Sequence, residues 1–276
     1  MTARRCLVMG IVNRTPDSFY DGGRMGLDES VRHAVALVEE GADILDLGGV
    51  RAGPGPRVTE EEERDRLLPL VEALRPEVDV PLSIETHRAT VAEAALAAGA
   101  SIVNDVTMLS DPGLAPVVAA TGARLVVMHH GGQIRGRPRN PRYEDVVVAV
   151  RGALLAGAEQ AIAAGVDRSR IIVDAGLDFG KNTYHSLELV RRTSELADLG
   201  YPLLVAPSRK DVVGETLAVP PDERLEGTLA LVALSVWGGA SIVRVHDVKA
   251  TVRTVRMVEA VMGTRAPAAP LRGLWE

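Results

Sequence analysis

The chain has 276 residues, of which 46% are hydrophobic and only 3% aromatic, so aliphatic side chains must fill a large core. The formal net charge of -6 argues against a dedicated nucleic-acid binder, whose footprint would be a basic surface. The single cysteine, Cys6, rules out an internal disulfide framework, and no signal segment or uninterrupted apolar run of membrane-helix length is recognisable, so we expect a cytoplasmic protein that does not enter a membrane.

Eight short apolar runs of strand length alternate along the chain with segments of helical periodicity. Such alternation predicts parallel strands joined by right-handed crossovers, and eight units of this kind are typical of a (β/α)8 TIM barrel. We therefore predict one TIM-barrel domain over residues 1–276, with a doubly wound open sheet as the alternative. The strand-like runs are residues 6–12, 42–49, 80–86, 101–106, 124–130, 170–176, 201–208 and 241–247.

The helical segments between these runs have recognisable ends. Several finish on glycine, which is favoured at the C-terminal cap of a helix. Thr59 precedes four glutamates, and acids suit the positive N-terminal end of a helix, so we interpret them as caps and solvated face rather than as ligands. The clearest helical segments are residues 27–41, 59–74, 88–100 and 221–240.

Polar residues gather at the carboxyl end of almost every predicted strand. In a TIM barrel those ends share one rim, where the βα loops build the active site. Any one of these residues would be unremarkable as a loop cap, but their coincidence on eight strands predicts a functional site at the rim. The residues are Asn13, Asp46, Glu85, Thr86, Asn104, Asp105, His129, His130, Asp174, Ser208, Arg209, Lys210, Arg244, His246 and Asp247.

One group of rim residues has the chemistry of an anion site. Arg244 and His246 are two positions apart, so they face the same way on a strand. With Lys210 and Asn13 they would hold a phosphate, the arginine through a bidentate fork. Asn13 and Asp17 would also help to hold Mg²⁺, which takes few protein ligands besides phosphate oxygens.

A second group suits a planar heterocycle with several N–H donors, because Glu85, Asn104 and Asp174 offer acceptors and an amide. The two groups side by side predict a phosphorylated heterocyclic substrate. His129 and His130 end the fifth strand, where one of them would point into the barrel mouth and the other outward.

Seven motifs then follow one another in the order in which they occur in a known family, and together they cover residues 9–247. The first, MGIVNRTPDSFYDGG, resembles the N-terminal signature of the dihydropteroate synthases. The other six resemble the later signatures of the same family, and they are GADILDLGG, IVNDV, VMHHGG, DAGLDFGK, SRKDVVG and RVHDV.

The resemblance implies an enzyme of folate biosynthesis. It would join p-aminobenzoate, or a related arylamine, to 6-hydroxymethyl-7,8-dihydropterin pyrophosphate and release pyrophosphate, with Mg²⁺ as the cofactor. The resemblance also implies a homodimer packed through outer helices late in the barrel sequence, and the apolar segment 224–240 suits burial against another surface.

Residue by residue, the resemblance assigns roles along the rim. Catalytic roles fall on Asn13, Asp17, Lys210, Arg244 and His246. The pyrophosphate would contact Asn13, Arg244 and His246, with the metal at Asn13. The pterin would contact Glu85, Asn104, Asp174 and Lys210, and the arylamine would lie beside Phe19, Phe179 and Ser208.

One loop departs from the family pattern. The family usually reads GGESTRPG where this chain has GGVRAGPG, so Val50, Arg51, Ala52 and Gly53 replace Glu, Ser, Thr and Arg. That loop normally helps to shape the p-aminobenzoate pocket, and Arg51 stands two positions before the family arginine. Glu85 stands where the family has aspartate, and the remaining departures are Arg14, Ala175, Ala206 and Pro207.

Because the departures concentrate on the second substrate, three functions stay open. The first is a working synthase, with Arg51 or a basic loop replacing the lost contacts. The second is a pterin-binding protein without synthase activity, in a regulatory or accessory role; the combination of NRTPDSFYD with GGVRAGPG resembles the divergent second copies of this synthase found in some actinobacteria. The third is a pterin-dependent methyltransferase module, which the predicted anion site disfavours because methyl-carrying pterins bring no pyrophosphate.

Overall fold

The eight strands of the computed structural model close into one barrel, which confirms the predicted TIM barrel. All neighbouring strands are parallel and pair in chain order, and the last strand returns to pair with the first. The structure describes residues 5–14, 26–50, 58–132 and 140–272. The strands are β1 (Leu7–Asn13), β2 (Ile44–Gly48), β3 (Leu82–Glu85), β4 (Ile102–Asp105), β5 (Arg124–Met128), β6 (Ile171–Asp174), β7 (Leu203–Val205) and β8 (Ile242–Val245).

Helices cover the outside of the barrel. The four clearest predicted segments overlap the first, second, third and ninth helices of the described chain, and the ninth is preceded by a short 3₁₀ turn at Pro221–Glu223. The helices are α1 (Leu27–Glu39), α2 (Glu60–Leu74), α3 (Ala89–Ala97), α4 (Leu114–Thr121), α5 (Val146–Ala163), α6 (Thr183–Arg191), α7 (Thr193–Ala197), α8 (Asp211–Leu217), α9 (Leu225–Trp237) and α10 (Val248–Val261).

Strand alternation divides the core into an inner and an outer layer. Outward-facing side chains, such as Val103 and Val127, pack against the surrounding helices. Inward-facing side chains form an apolar floor inside the barrel, made of Met9, Ile44, Ile102, Val126, Ile172, Leu204, Ala206 and Ile242. Polar inward-facing side chains therefore begin only above this floor, towards the carboxyl ends of the strands.

Helix α5 is long and apolar enough to cross a membrane by length and composition alone, with a mean hydropathy of 1.5 over 18 residues. One face of it is fully buried against the barrel through Val147, Val150, Leu154 and Ala158. Because that face belongs to the barrel core, α5 is a core helix of this fold.

Helix α2 begins as the sequence predicts, with one exception. Oγ1 of Thr59 accepts a hydrogen bond from the backbone N–H of Glu62, and the Glu62 carboxylate accepts one from the N–H of Thr59, which closes a capping box. The expectation of a solvated face is wrong for Glu63, which is buried and forms an ion pair with Arg88. Arg88 also donates to the carbonyl oxygen of Val58 at 2.7 Å. It therefore links the N-terminal end of α2 to the segment that follows β3.

A proline inside α2 explains one departure from the family pattern. Pro69 has no N–H, so the carbonyl of Asp65 loses its helical partner. Nη1 of Arg14, which follows β1, lies 3.4 Å from that carbonyl oxygen and 2.6 Å from the carbonyl oxygen of Arg66. Arg66 in turn donates to the carbonyl oxygen of Gly49 at 3.0 Å. These bonds fasten α2 to the ends of both β1 and β2.

Candidate active site

Polar side chains from four strands face one another just above the apolar floor. Each lies two residues beyond an isoleucine of the floor, so alternation turns it into the barrel. The sequence predicts this gathering at the rim, and the structure brings the side chains together in a buried or nearly buried setting. The four residues are Asp46, Asn104, Asp174 and Arg244.

Arg244 lies between two carboxylates. Its Nε is 2.6 Å from Oδ2 of Asp46, and its Nη2 is 2.5 Å from Oε2 of Glu85. The Asp46 side chain is fully buried and the Glu85 side chain is 10% exposed, so salt screens these ion pairs little. Two residues that the sequence assigns to different parts of the site, Glu85 and Arg244, are therefore bonded to each other.

The electrostatics of this network follow from its burial. Burial lowers the pKa of Arg244, but the carboxylates of Asp46 and Glu85 more than offset that effect, and the net shift is upward. Burial raises the pKa of Glu85, although the guanidinium beside it acts in the opposite direction. Arg244 therefore stays positively charged, and a fall in pH neutralises Glu85 earlier than an ordinary glutamate.

Asp46 organises the neighbouring strands as well. Its Oδ1 accepts a hydrogen bond from Oγ of Ser83 at 2.5 Å, and its Oδ2 accepts one from Nδ2 of Asn104 at 3.1 Å. Because the amide nitrogen of Asn104 is used in this way, its Oδ1 is the atom left to accept a bond from a ligand. The sequence analysis missed Ser83, although strict alternation with Glu85 on the same strand would have placed it inside the barrel.

Asp174, Lys210 and Phe179 come together on the β6–β7 side of the mouth. Oδ1 of Asp174 accepts the N–H of Gly176 at 2.8 Å. Nζ of Lys210 donates to the carbonyl oxygen of Leu177 at 2.9 Å and lies 5.1 Å from the centre of the Phe179 ring. Burial raises the pKa of Asp174 and lowers that of Lys210, while each charge partly opposes the shift of the other. An acceptor, a cation and a flat apolar face are thus gathered in one place.

Ser208 is hydrogen-bonded to both the backbone and the ring of His246. Oγ of Ser208 accepts the backbone N–H of His246 at 3.1 Å and lies 2.9 Å from Nδ1 of the same residue. Because Nδ1 is bonded to Ser208, Nε2 is the ring nitrogen left for a ligand. Burial, followed by the charges of Arg244 and Arg209, lowers the pKa of His246 to about 4. His246 is therefore neutral at pH 7.

Asn13 ends β1, and its amide lies over β2. A Cβ on Gly48 would come within 3.0 Å of Oδ1 of Asn13, so the glycine leaves room for this side chain. Within the described ranges no three His, Cys, Asp or Glu side chains cluster so as to hold a metal by themselves. A single amide oxygen nevertheless fits Mg²⁺ that takes its other ligands from phosphate and water.

A buried lysine that the sequence analysis did not single out supports the rim. Nζ of Lys181 lies 2.8 Å from Nδ1 of His129 and donates to the carbonyl oxygens of Gly176 and Phe179 at 2.9 and 2.8 Å. Burial lowers the pKa of Lys181 to about 7, and burial together with the Lys181 charge lowers that of His129 to about 3. A Cβ on Gly176 would fall 2.0 Å from the carbonyl oxygen of His129, so only glycine allows this loop to approach β5 so closely. In the sequence, the two glycines of DAGLDFGK are the feature from which this close approach could have been predicted.

The two histidines that follow β5 differ in their surroundings. His129 lies on the Lys181 side, whereas alternation from inward-facing Val126 puts His130 on the inward side of the strand. Nδ1 of His130 is buried and has no hydrogen-bond partner in the described part of the chain. Its burial lowers the pKa of His130, so the ring is neutral at pH 7.

Several residues singled out by the sequence lie outside the described residues, so their predicted roles stay predictions. Val50, the first residue of the divergent loop and the one of its four changed positions that is described, is half-buried. The positions outside the described ranges are Asp17, Phe19, Arg51, Ala52 and Gly53.

The chain is similar to known proteins over almost its whole length. A model of the family described as "Pterin binding enzyme" matches residues 9–246. A Mycobacterium tuberculosis protein named "Inactive dihydropteroate synthase 2" is 49% identical over 277 residues, which cover 98% of this chain and 87% of that protein. The dihydropteroate synthase of Bacillus subtilis is 41% identical, covering 94% of this chain and 89% of its own. A crystal structure of Yersinia pestis dihydropteroate synthase with a sulfonamide drug complex has a TM-score of 0.91 at 40% identity and covers 95% of both chains.

Proposed function

The chain belongs to the pterin-binding enzyme family, together with the dihydropteroate synthases, and we propose that it binds a reduced pterin in the barrel mouth without condensing it with p-aminobenzoate. The observation that carries pterin binding is the grouping of Asp174 and Lys210 opposite Asn104 above the apolar floor. Two acceptor oxygens and a cation in one site suit a ring that offers several N–H donors.

Two observations support the absence of synthase activity. A mycobacterial relative that is 49% identical over 98% of this chain is named an inactive synthase, whereas the Bacillus subtilis synthase is 41% identical. In addition, the family sequence GGESTRPG, which shapes the arylamine pocket, is replaced by GGVRAGPG. Of the four polar positions in the family loop, only the one at Arg51 still carries a polar side chain. An arylamine would find fewer polar contacts there.

The chain's own residues would act as follows. Asp174 accepts N–H groups of the pterin, Lys210 donates to an oxygen or nitrogen of the ring, and Oδ1 of Asn104 accepts a further N–H. The neutral imidazole of His246 offers Nε2 to the ligand, because Ser208 occupies Nδ1. Asn13 would hold Mg²⁺, and the ion, when bound, would neutralise charge on phosphate oxygens.

We also propose a cytoplasmic homodimer built from single-domain subunits. The outer surface of α9 and α10 exposes large apolar side chains, among them Trp237, Met257 and Val261, each more than 60% exposed. Exposed apolar side chains on two neighbouring helices are typical of a protein–protein contact.

A working synthase is the second candidate, favoured by the retention of Asn104, Asp174 and Lys210 in one site. The deciding experiment combines calorimetric binding of 6-hydroxymethyl-7,8-dihydropterin with a product assay for dihydropteroate, using the pyrophosphate ester, p-aminobenzoate and Mg²⁺. We expect pterin binding and no dihydropteroate, with the Bacillus subtilis synthase as the positive control. Dihydropteroate formation at a rate comparable with that control would contradict the proposal, and so would failure to bind the pterin.

A further inference from the structure

Arg244 is a buried cation of the barrel mouth, and the Nε–Nη2 edge of its guanidinium is already occupied. An arginine grips an anion best through two parallel N–H groups, and Nε with Nη2 forms one such fork. In Arg244 this fork is divided between Asp46 and Glu85, at 2.6 and 2.5 Å. An incoming phosphate that binds this fork would have to displace one of the two carboxylates.

Glu85 reaches Arg244 from across the mouth. Glu85 ends β3, Arg244 lies on β8, and β1 and β2 stand between them in the barrel. The residue paired with Glu85 on β2 is Gly48, which has no side chain to stand in the way. An aspartate at position 85 would place its carboxylate about 1.5 Å further back, one carbon–carbon bond, and would lengthen this contact beyond the hydrogen-bond limit of about 3.2 Å.

The remaining charges of the mouth do not compensate. Asp46, Glu85 and Asp174 face two cations, Arg244 and Lys210, and His246 is neutral because it is buried beside Arg244. Lys210 is held near Asp174 and donates to the carbonyl oxygen of Leu177. In the described part of the mouth, each of these cations therefore already faces a carboxylate, and a pyrophosphate would add negative charge to a site that carries no surplus positive charge.

We propose that Glu85 withholds Arg244 from anions, so that the site selects a pterin without a pyrophosphate group. This inference rests on the proposed pterin-binding function and names its ligand class: an uncharged heterocycle whose N–H groups meet Asp174 and Asn104. The carboxylate of Glu85 serves as an internal substitute for the anion that Arg244 would otherwise bind.

The test measures the affinity of inorganic pyrophosphate for the full chain by isothermal calorimetry without Mg²⁺. Two variants act on the same contact in different ways: Glu85→Asp shortens the side chain, and Glu85→Gln keeps its length but removes its charge. We expect both to bind pyrophosphate at least tenfold more tightly than the parent chain. The gain should disappear when Arg244→Met is added to either variant.

Glu259→Asp is the matched control, because Glu259 is also a buried carboxylate in an ion pair with an arginine, but it lies on α10 and bonds the N–H of Cys6 at the amino end of β1. It should leave the pyrophosphate affinity unchanged, and circular dichroism checks that each variant is folded. Unchanged pyrophosphate affinity in both Glu85 variants, or a gain that survives Arg244→Met, would overturn the inference. Pterin binding by the parent chain is measured separately, so a failure of the proposed function is distinguishable from a failure of this one.

Discussion

The two halves of the barrel mouth differ in how far their polar groups are already satisfied. On the β4–β6 side, Asp174 and Asn104 each use one atom of their side chains within the protein and leave an oxygen for a ligand. On the β8 side, Arg244 is bonded to two carboxylates and His246 to Ser208. We call the β4–β6 side the open half, and the β8 side, where Arg244 already bonds two carboxylates, the closed half. The residue types at a rim therefore do not show whether their polar atoms are available to a ligand.

The largest effect is expected behind the open half, where Lys181 holds the β6 loop against β5. Lys181→Met should lower the free energy of unfolding by about 3 kcal/mol, since it leaves the buried carbonyls of Gly176 and Phe179 without a donor. Urea unfolding followed by circular dichroism measures this change. Lys249→Met, on the exposed side of α10, is the matched control and should change stability by less than about 0.5 kcal/mol. Equal effects of the two variants would refute the supporting role.

The open half itself is tested by Asp174→Asn, which keeps the shape of the side chain and removes its charge. We expect the affinity for 6-hydroxymethyl-7,8-dihydropterin to fall about 30-fold, the equivalent of about 2 kcal/mol for a hydrogen bond to a charged group. Calorimetry gives the two dissociation constants. Asp43→Asn removes a carboxylate beside Arg5 and Val8, at the amino end of the barrel, and should leave the affinity unchanged. An undiminished affinity of the Asp174 variant would place the pterin elsewhere.

The stability of the region behind the open half should depend on pH. The pKa of Lys181 is lowered from 10.5 to about 7 by burial, so the unfolded chain binds more protons than the folded chain between those values. Stability should therefore rise with pH from about 7 towards 10, by at most about 1.4 kcal/mol per pH unit for one proton. His129, with a pKa lowered to about 3, adds a rise in the same direction between about 3 and 6.5. Urea unfolding at pH 7 and 9 should show the first rise in the parent chain but not in Lys181→Met.

The smallest expected effect concerns β1, at the edge of the closed half. Arg14→Val should cost about 1 kcal/mol, because it removes the donor that replaces the missing N–H of Pro69. With Pro69→Ala in place the helix recovers its own N–H, and the cost of Arg14→Val should be smaller by about 0.5 kcal/mol. A double-mutant cycle of unfolding free energies measures this coupling. Additive effects of the two substitutions would show that Arg14 does not compensate for Pro69.

Much of the fold and the location of the site were predictable from the sequence. Strand-length apolar runs alternating with helices gave the barrel, and polar residues at the strand ends gave the rim. The pairing of Glu85 with Arg244 was not predictable, because periodicity says which way a side chain faces but not which side chain it reaches across a barrel. Lys181 was missed because a lysine in a loop is ordinarily solvated, and only the close approach of Gly176 to β5 buries this one.

The most direct test of the central claim compares two ligands on the unmodified chain. Calorimetric titration with 6-hydroxymethyl-7,8-dihydropterin and with its pyrophosphate ester, each without Mg²⁺, measures what the closed half adds to the open one. If Arg244 is withheld by Glu85, the two dissociation constants should agree within about threefold, which is less than 1 kcal/mol. Binding of the pyrophosphate ester more than tenfold tighter than the free pterin would contradict the account, because it would show that the anion half is open.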